Sequence, residues 1–424
     1  TNGIVYLDLG FDLHTLEQMF LPYVKLFGRA LLETGTADAS PVQLQQRIGR
    51  ETGGIHANSF ASSVRGSDES RARLFVRGKA TLAQGGELLA ILRDVLQTAR
   101  LDNRERIRQI VLEEKAAREA ALVPSGHSVV VQRMRSRFTE ADWAEEQIGG
   151  ISYLLFLREL ARQVDDDWPA VQATLEQLRA ALVRRNALVV NVTADHADWT
   201  RFAPQLDSFL AELPGNSNPA AAWQPNRPDA NEGLSIPAPV NYVGKSANLY
   251  QQGYKLHGSA LVVSRYLRSS WLWEQVRVRG GAYGGFCLFD PRSGVFGYVS
   301  YRDPNLLATL DVYDRSGAFL RALDLSDQEL TRAIIGAISD LDAYQLPDAR
   351  GYTSMIRRLV GDDAAYRQQL RDEVLGTTRA DFQAFADVLD GMREHSIVTV
   401  MGGEAALQAA NEQRPNLLQI TKIL

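Results

Sequence analysis

Residues Arg277–Gly285, with the sequence RVRGGAYGG, place a guanidinium and a phenol beside a glycine-rich turn. Both groups are hydrogen-bond donors that could hold a carbonyl oxygen or a developing oxyanion at a site formed with another segment. Gly280 and Gly281 permit a tight turn and close approach, so they are candidates for contact with a substrate backbone. The alternative is that Arg277 is a surface ion-pair residue and Tyr283 an ordinary sheet residue.

The elements around this turn would present the two side chains together. Apolar residues at helical spacing predict a helix before the turn, and two strands are expected after it, Ala282–Phe289 and Val295–Tyr301. Because side chains alternate along a strand, Tyr283 and Cys287 should lie on one face. Arg277 would then leave the end of the helix close to the start of the first strand.

A related pattern occurs near the start of the chain. Arg50–His56 (RETGGIH) and Arg277–Tyr283 (RVRGGAY) both follow Arg-x-x-Gly-Gly-x-His/Tyr, each between a predicted helix and a predicted strand pair. The shared element order favours an internal duplication. The Pro-rich segment 214–236 is expected to link a unit 1–213, with a long helical insertion, to a unit 237–424. The predicted fold class is α+β: two homologous layered domains, each a mostly antiparallel sheet with helices packed on one face.

A second motif bears on metal binding. His14, Glu17 and Gln18 lie in Phe11–Thr34, where the apolar spacing predicts a helix that Pro22 breaks or restarts. The inverted zinc-peptidase motif His-x-x-Glu-His needs a second histidine where Gln18 stands, and an amide is a poor zinc ligand. We therefore expect no metal ligands in this chain and interpret the segment as a polar helix face.

Composition argues against several other classes of function. The net charge is −5 and no Lys/Arg block is present, so no nucleic-acid partner is expected. No apolar run approaches the roughly 20 residues that span a bilayer, so no membrane partner is expected. Cys287 is the only cysteine, which excludes an intrachain disulfide and a cysteine-based zinc site. No nucleotide-binding glycine motif and no nucleophile elbow occur, so we expect no bound cofactor and no covalent nucleophile.

Three stretches resemble the C-terminal half of the pitrilysin/insulinase-type zinc metallopeptidases, most closely the presequence protease branch. Leu272–Phe286 resembles the C-terminal domain of that family, and Gly3–Asp12 and Gly53–His56 resemble the start of the branch's third domain. The resemblance covers the whole chain. Since the chain starts at Thr1 in a strand-like segment, we expect it to be a piece of a longer protein.

The resemblance implies two halves, each of two homologous domains, that close like a clamshell around a peptide chamber. It places zinc in the N-terminal half and none in this chain. It also implies a catalytic Arg and Tyr that reach the substrate backbone at the scissile bond, and these correspond to Arg277 and Tyr283. His56 replaces tyrosine in the first copy of the motif, so neither Arg50 nor His56 is assigned a catalytic role.

On this resemblance we expect the metal-free C-terminal half of a zinc metalloendopeptidase that degrades unfolded peptides, inactive by itself. Its expected partners are the N-terminal catalytic half, in the same polypeptide or as a separate chain, and unfolded peptide substrates. The alternative is a non-catalytic peptide-binding or scaffold subunit of a processing-peptidase-like complex. The compartment stays open, with a cytoplasmic location favoured and a periplasmic one as the alternative.

Overall fold

The computed structural model describes residues 1–216, 219–228 and 230–424. Ser217, Asn218 and Asp229 belong to the predicted linker, and that part of the prediction lies outside the described residues. In the part of the chain that is described, no helix has the length and apolar character needed to cross a bilayer.

The structure contains two sheets and many helices. The strands are β1 Ile4–Asp12, β2 Ile55–Ser63, β3 Ser70–Thr81, β4 Leu188–Thr193, β5 Glu232–Ser235, β6 Tyr242–Asn248, β7 Gly284–Phe289, β8 Val295–Tyr301, β9 Ile397–Gly402 and β10 Gln419–Lys422. The helices of the first half are α1 Val24–Glu33, α2 Pro41–Glu51, α3 Gly85–Thr98, α4 Arg104–Ala121, α5 Gly126–Arg135, α6 Glu140–Gly149, α7 Ile151–Asp166, α8 Trp168–Leu182 and α9 His196–Glu212. Those of the second half are α10 Ser259–Leu267, α11 Leu307–Asp314, α12 Ser316–Arg321, α13 Asp327–Leu341, α14 Pro347–Val360, α15 Ala364–Leu375, α16 Arg379–Glu394 and α17 Glu404–Gln413, together with the π-helix Arg268–Arg279.

The first sheet has the strand order β2-β3-β1-β4 and is antiparallel throughout. The second has the order β10-β5-β9-β6-β8-β7, with parallel pairing only where β5 meets β10 and β9. In both sheets the strand that follows the Gly-Gly turn, β2 or β7, lies at an edge. The predicted α+β class with two mostly antiparallel sheets is confirmed.

Strand β5 lies inside the segment 214–236 that was predicted to be a linker. It occupies an interior position of the second sheet, where Leu234 pairs with Met401 of β9 and Thr421 of β10. The four residues of β5 are buried. The division into units 1–213 and 237–424 stays a prediction. The last residues of the predicted linker, however, form a strand of the second sheet.

Each sheet packs a large layer of helices against one face, as predicted. Leu7, Leu9 and Val76 of the first sheet are buried against helices that include α1, α3 and α7. Val243 and Val400 of the second sheet are buried against helices that include α10 and α16. The alternation of apolar residues along these strands places every second side chain in these cores.

The opposite face of each sheet is covered by one helix from the other half of the chain. Helix α5 packs against β6, β8 and β9, where Val130 and Met134 contact a cluster that contains Tyr242. Helix α14 packs against β3 and β4, where Ile356 and Val360 join a cluster with Phe75. Each half therefore contributes one helix that covers the sheet of the other half: α5 covers the second sheet and α14 covers the first.

The predicted helix Phe11–Thr34 differs from the structure in its first part. Strand β1 continues to Asp12, whose side chain accepts a hydrogen bond from the His14 amide and caps a short 3-10 turn. A second 3-10 segment, Gln18–Tyr23, contains Pro22, and the α-helix begins at Val24. Pro22 marks the predicted restart, because it cannot donate the hydrogen bond that a continuous helix requires.

Candidate active site

The turn between the π-helix and β7 is built from three consecutive backbone hydrogen bonds. The amides of Gly280, Gly281 and Ala282 donate to the carbonyl oxygens of Gln275, Arg277 and Val276 at 3.0, 3.0 and 3.1 Å. Gly281 has φ +78°, which an L-residue rarely adopts. The glycine pair therefore ends the helix and turns the chain directly into the edge strand.

Arg277 lies on the last turn of the π-helix, four residues after Trp273. Its guanidinium carbon is 4.2 Å from the centroid of the Trp273 ring and 5.4 Å from that of Tyr283. The side chain of Arg277 makes no ion pair or hydrogen bond with the residues that the structure describes. The guanidinium is thus held by two aromatic rings while its N–H donors stay available.

Tyr283 lies just before β7 and is 63% exposed. Its amide donates to the carbonyl oxygen of Tyr301 at 3.0 Å, and the two rings meet edge to face at 5.5 Å between centroids. The Tyr283 hydroxyl has no hydrogen-bond partner in the described chain. Backbone and ring contacts fix the side chain, and the phenol points to solvent.

The strand begins at Gly284, two residues later than predicted, and this changes the face on which Tyr283 lies. Tyr301 pairs with Gly284 and therefore shares its face, which is opposite to that of the buried Cys287. Because the ring of Tyr283 packs on Tyr301, it lies on the Gly284 side of the sheet. The expectation that Tyr283 and Cys287 share a face is wrong, since Tyr283 belongs to the turn.

Contacts within the chain explain several of the glycines. A Cβ at Gly280 would lie 2.5 Å from the Val276 carbonyl oxygen, and one at Gly285 would lie 2.9 Å from the Val276 side chain. At Gly281 the nearest atom would be 3.7 Å away, and the residue is exposed. Of the two glycines predicted to contact substrate, only Gly281 is exposed and has no neighbour closer than ordinary van der Waals contact, and the prediction for both stays untested.

The structure brings Arg277 and Tyr283 together, with both sets of donors free and facing solvent. Guanidinium and phenol groups in this arrangement can donate hydrogen bonds to one oxygen atom of a ligand bound against the turn. Donors that are fixed before an oxyanion forms stabilise it most, because no reorganisation is then needed. The site is therefore suited to stabilise negative charge on an oxygen.

The first copy of the motif has the same order of elements but a different turn. Thr52 is extended, and the Gly53 amide donates to the carbonyl oxygen of Lys79 at 2.7 Å instead of to a helix carbonyl. Arg50 ends α2, and its Nε lies 2.6 Å from Oε1 of Glu51. Gly54 has φ +109° and leads into β2, where His56 is exposed. Burial, followed by the positive charge of Arg77, lowers the pKa of His56, so this side chain is neutral near pH 7.

The degenerate motif at the start of the chain does not fit a zinc site. Both ring nitrogens of His14 are engaged: Nδ1 lies 3.3 Å from Asp12 Oδ1, and Nε2 lies 3.1 Å from Glu140 Oε1. Burial disfavours the charged imidazole, but the hydrogen bonds to Asp12 and Glu140 outweigh it and raise the pKa of His14 to about 9. A protonated imidazole cannot ligate a metal. Gln18 Oε1 accepts a hydrogen bond from the Gln224 amide at 2.8 Å.

Two residues of this site were not identified from the sequence. Trp273 supports the guanidinium, and its spacing of four residues from Arg277 was an available signal, since such pairs meet on a helix. Tyr301 supports the phenol, but only strand register brings it to Tyr283. Within the described ranges, no group of three His, Cys, Asp or Glu side chains could hold a metal ion.

Two family models match separate parts of the chain. The model of the domain associated with peptidases of family M16, subfamily C, matches residues 1–160, and that described as "PreP C-terminal domain" matches residues 231–403. The chain is 45% identical over 425 residues to presequence protease 1, chloroplastic/mitochondrial, of Arabidopsis thaliana. That alignment covers 100% of this chain and 39% of the plant protein, so the chain spans about two fifths of its relative's length.

Solved structures show the same fold. A conserved protein from Enterococcus faecalis superposes with a TM-score of 0.68 at 14% identity, covering 95% of this chain and 94% of that one. A peptidase M16 inactive domain from Pseudomonas fluorescens superposes with a TM-score of 0.64 at 16% identity, covering 95% and 93%. At these identities the likeness establishes the architecture alone.

Proposed function

Because this chain belongs to the presequence protease branch of the pitrilysin/insulinase-type zinc metallopeptidases, we propose that it forms the metal-free C-terminal half of an endopeptidase that degrades unfolded peptides. The zinc ion of such an enzyme would be held by the N-terminal half, in the same polypeptide or in a separate chain. Two observations support this placement: the chain aligns with 39% of the plant relative, and its own His14 motif does not fit a metal.

The observation that carries the proposal is the open pair of donors at the turn. The Arg277 guanidinium and the Tyr283 hydroxyl are fixed by aromatic contacts and have no described polar partner. They would donate hydrogen bonds to the carbonyl oxygen of the scissile peptide bond and to the oxyanion that forms from it. Removal of one such donor typically lowers the rate by about 10²–10³. Substrate would bind along the exposed side of Gly281.

The remaining surface of this half would close the chamber in which peptides are cleaved. A closed chamber admits extended, unfolded chains and excludes folded domains by size, so the substrate class follows from the enclosure. No metal ligand and no general base of the reaction would come from this chain. By itself it should bind no stoichiometric zinc and cleave no peptide.

Co-expression with the preceding segment of the gene tests the proposal. The complete protein should cleave a fluorogenic unstructured peptide, lose activity in the presence of a chelator and regain it with zinc. The 424-residue chain alone should be inactive under the same conditions. Peptidase activity of the isolated chain that survives dialysis against a chelator would contradict the proposal, as would chelator-insensitive activity of the complete protein.

A further inference from the structure

A cavity of about 580 Å³ lies between helices α5 and α6 of the first half and strands β7 and β8 of the second. Its floor is formed by the apolar side chains of Phe286, Leu288 and Val299, and Val131 of α5 adds a wall. Leu288 is 41% exposed although it belongs to a strand. The cavity therefore offers apolar surface to a ligand at the edge of the second sheet.

The cavity lies close to the pair of donors. The ring of Tyr301, which supports Tyr283 at 5.5 Å, lies 4.7 Å from the ring of His127 at the start of α5. His127 lines the cavity and faces Phe286 at 6.0 Å between ring centroids. The ring of Tyr301 thus contacts both Tyr283 and His127. The pair of donors and the cavity therefore lie near each other on the same face of the sheet.

One acid in the cavity differs from its neighbours on α6. Glu140, Asp142 and Glu146 each have a cationic partner: His14 at 3.1 Å, Arg135 at 2.8 Å and Arg133 at 3.1 Å, respectively. Glu145 lines the cavity and has no cationic partner among the described residues. Burial raises the pKa of Glu145 to about 7, against a smaller lowering by the amide of Ala61. A half-buried carboxyl without a cation is costly unless a ligand supplies one.

The other charges of the cavity do not supply this cation. Arg135 is already neutralised by Asp142 and Asp290, at 2.8 and 2.5 Å. Arg268 lines the cavity but is exposed, at the start of the π-helix. A long basic side chain matches both parts of the cavity, because its aliphatic stem can lie on the apolar floor while its charged end meets the carboxyl.

From this complementarity we propose that the cavity is a specificity pocket for one lysine or arginine side chain of a bound peptide, with Glu145 as the residue that selects it. This rests on the proposed function, since the peptide would be the one whose scissile bond meets Arg277 and Tyr283. Glu145 is a specificity-determining residue and takes no part in bond cleavage.

A cleavage profile of the complete peptidase tests the pocket. Unstructured peptides that differ only in having Arg, norleucine or Asp at one position are compared, with each position scanned in turn. The wild type should prefer Arg at one position, and Glu145→Gln should lower kcat/KM for that Arg peptide about tenfold while leaving the norleucine peptide within about twofold. Glu145→Lys should favour Asp at the same position. The exposed acid Glu159, which pairs with Arg162, provides the matched control Glu159→Gln, whose profile should equal the wild type.

Leu288→Ala adds a test that leaves the acid in place. Since Leu288 is exposed, this variant should fold, and it should lower kcat/KM for the Arg and norleucine peptides together by a few-fold. An Arg preference that persists in Glu145→Gln, an equal loss for all peptides, or no Arg preference in the wild type would each overturn the pocket. These outcomes are separable from failure of the proposed function, which would appear as full activity of Tyr283→Phe on every peptide.

Discussion

The two copies of the Arg-x-x-Gly-Gly motif share a helix end, a second glycine with positive φ and a following edge strand, and they differ in whether the arginine side chain is paired. In the first copy Arg50 is paired with Glu51, and the position of the phenol is taken by His56. In the second copy Arg277 rests on Trp273, and its donors remain free beside Tyr283. Both copies thus supply a helix end, a glycine with positive φ and an edge strand, while the side chains decide whether the turn can bind a ligand.

The largest expected effect separates the two copies directly. In the complete peptidase, Tyr283→Phe should lower kcat/KM for a fluorogenic peptide by about 10²–10³, because it removes one oxyanion donor. His56→Phe, the equivalent change in the first copy, should leave kcat/KM within about twofold. Zinc content measured by atomic absorption should be unchanged in both variants. An equal loss in the two variants would remove the functional distinction between the copies.

The next effect concerns stability and the altered metal motif of the first half. The folded-state pKa of His14, about 9, lies above its ordinary value of 6.5, so protonated His14 stabilises the fold. That contribution is complete below pH 6.5 and is lost as the pH rises through 9. The free energy of unfolding should fall by about 2 kcal/mol across this interval, measured by urea denaturation at several pH values.

His14→Gln should remove this pH dependence, whereas His196→Gln, at an exposed histidine, should retain it. A stability that stays level between pH 6.5 and 9 in the unsubstituted protein would show that His14 is not held protonated. The short contacts of the His14 ring with Asp12 and Glu140 would then need another explanation.

A smaller effect is expected from the aromatic support of the second copy. Trp273→Leu removes the ring beneath the guanidinium, and exposed cation–π contacts contribute about 0.5–1 kcal/mol. We expect kcat to fall about threefold to fivefold with KM nearly constant, since a positioning residue acts through Arg277. Trp199→Leu, at a comparably exposed tryptophan on α9, is the control. A change in KM alone would indicate that Trp273 contacts the peptide.

The smallest effect comes from making the second copy resemble the first. Val278 follows Arg277 as Glu51 follows Arg50, and it is exposed. Val278→Glu should pair with Arg277 and lower kcat/KM about twofold to fivefold, in line with the modest energy of surface ion pairs. The loss should diminish at high salt, where the pair is screened. Val278→Gln, which carries no charge, should behave as the wild type.

Local features of the second half could be predicted from the sequence. Strand β8 has the predicted bounds, Val295–Tyr301, because alternating apolar residues are flanked by turn residues. The family resemblance carried by the motif at Arg277–Tyr283 and the α+β class are confirmed, and the internal duplication stays a prediction. Tyr283 was placed on the wrong face because the start of β7 is set by pairing with Tyr301, which periodicity does not report.

Features that depend on distant segments could not be predicted. Glu145 is one of four acids in α6, and only the three-dimensional structure shows that it lines a cavity and lacks a cationic partner among the described residues. Strand β5 is short and lies in a Pro-rich segment, so it had no periodic signal. In both cases the missing information is which half of the chain covers which sheet.

The exchange of α5 and α14 has a consequence for biosynthesis. Phe75 leaves the ribosome long before Val360, the last residue of the helix that covers it. One face of the first sheet therefore stays exposed to solvent until α14 has been translated, at about 5–20 residues per second. A nascent chain of this protein exposes the apolar Phe75 surface for that whole period, and the first sheet is covered on both faces only after α14 has been synthesised.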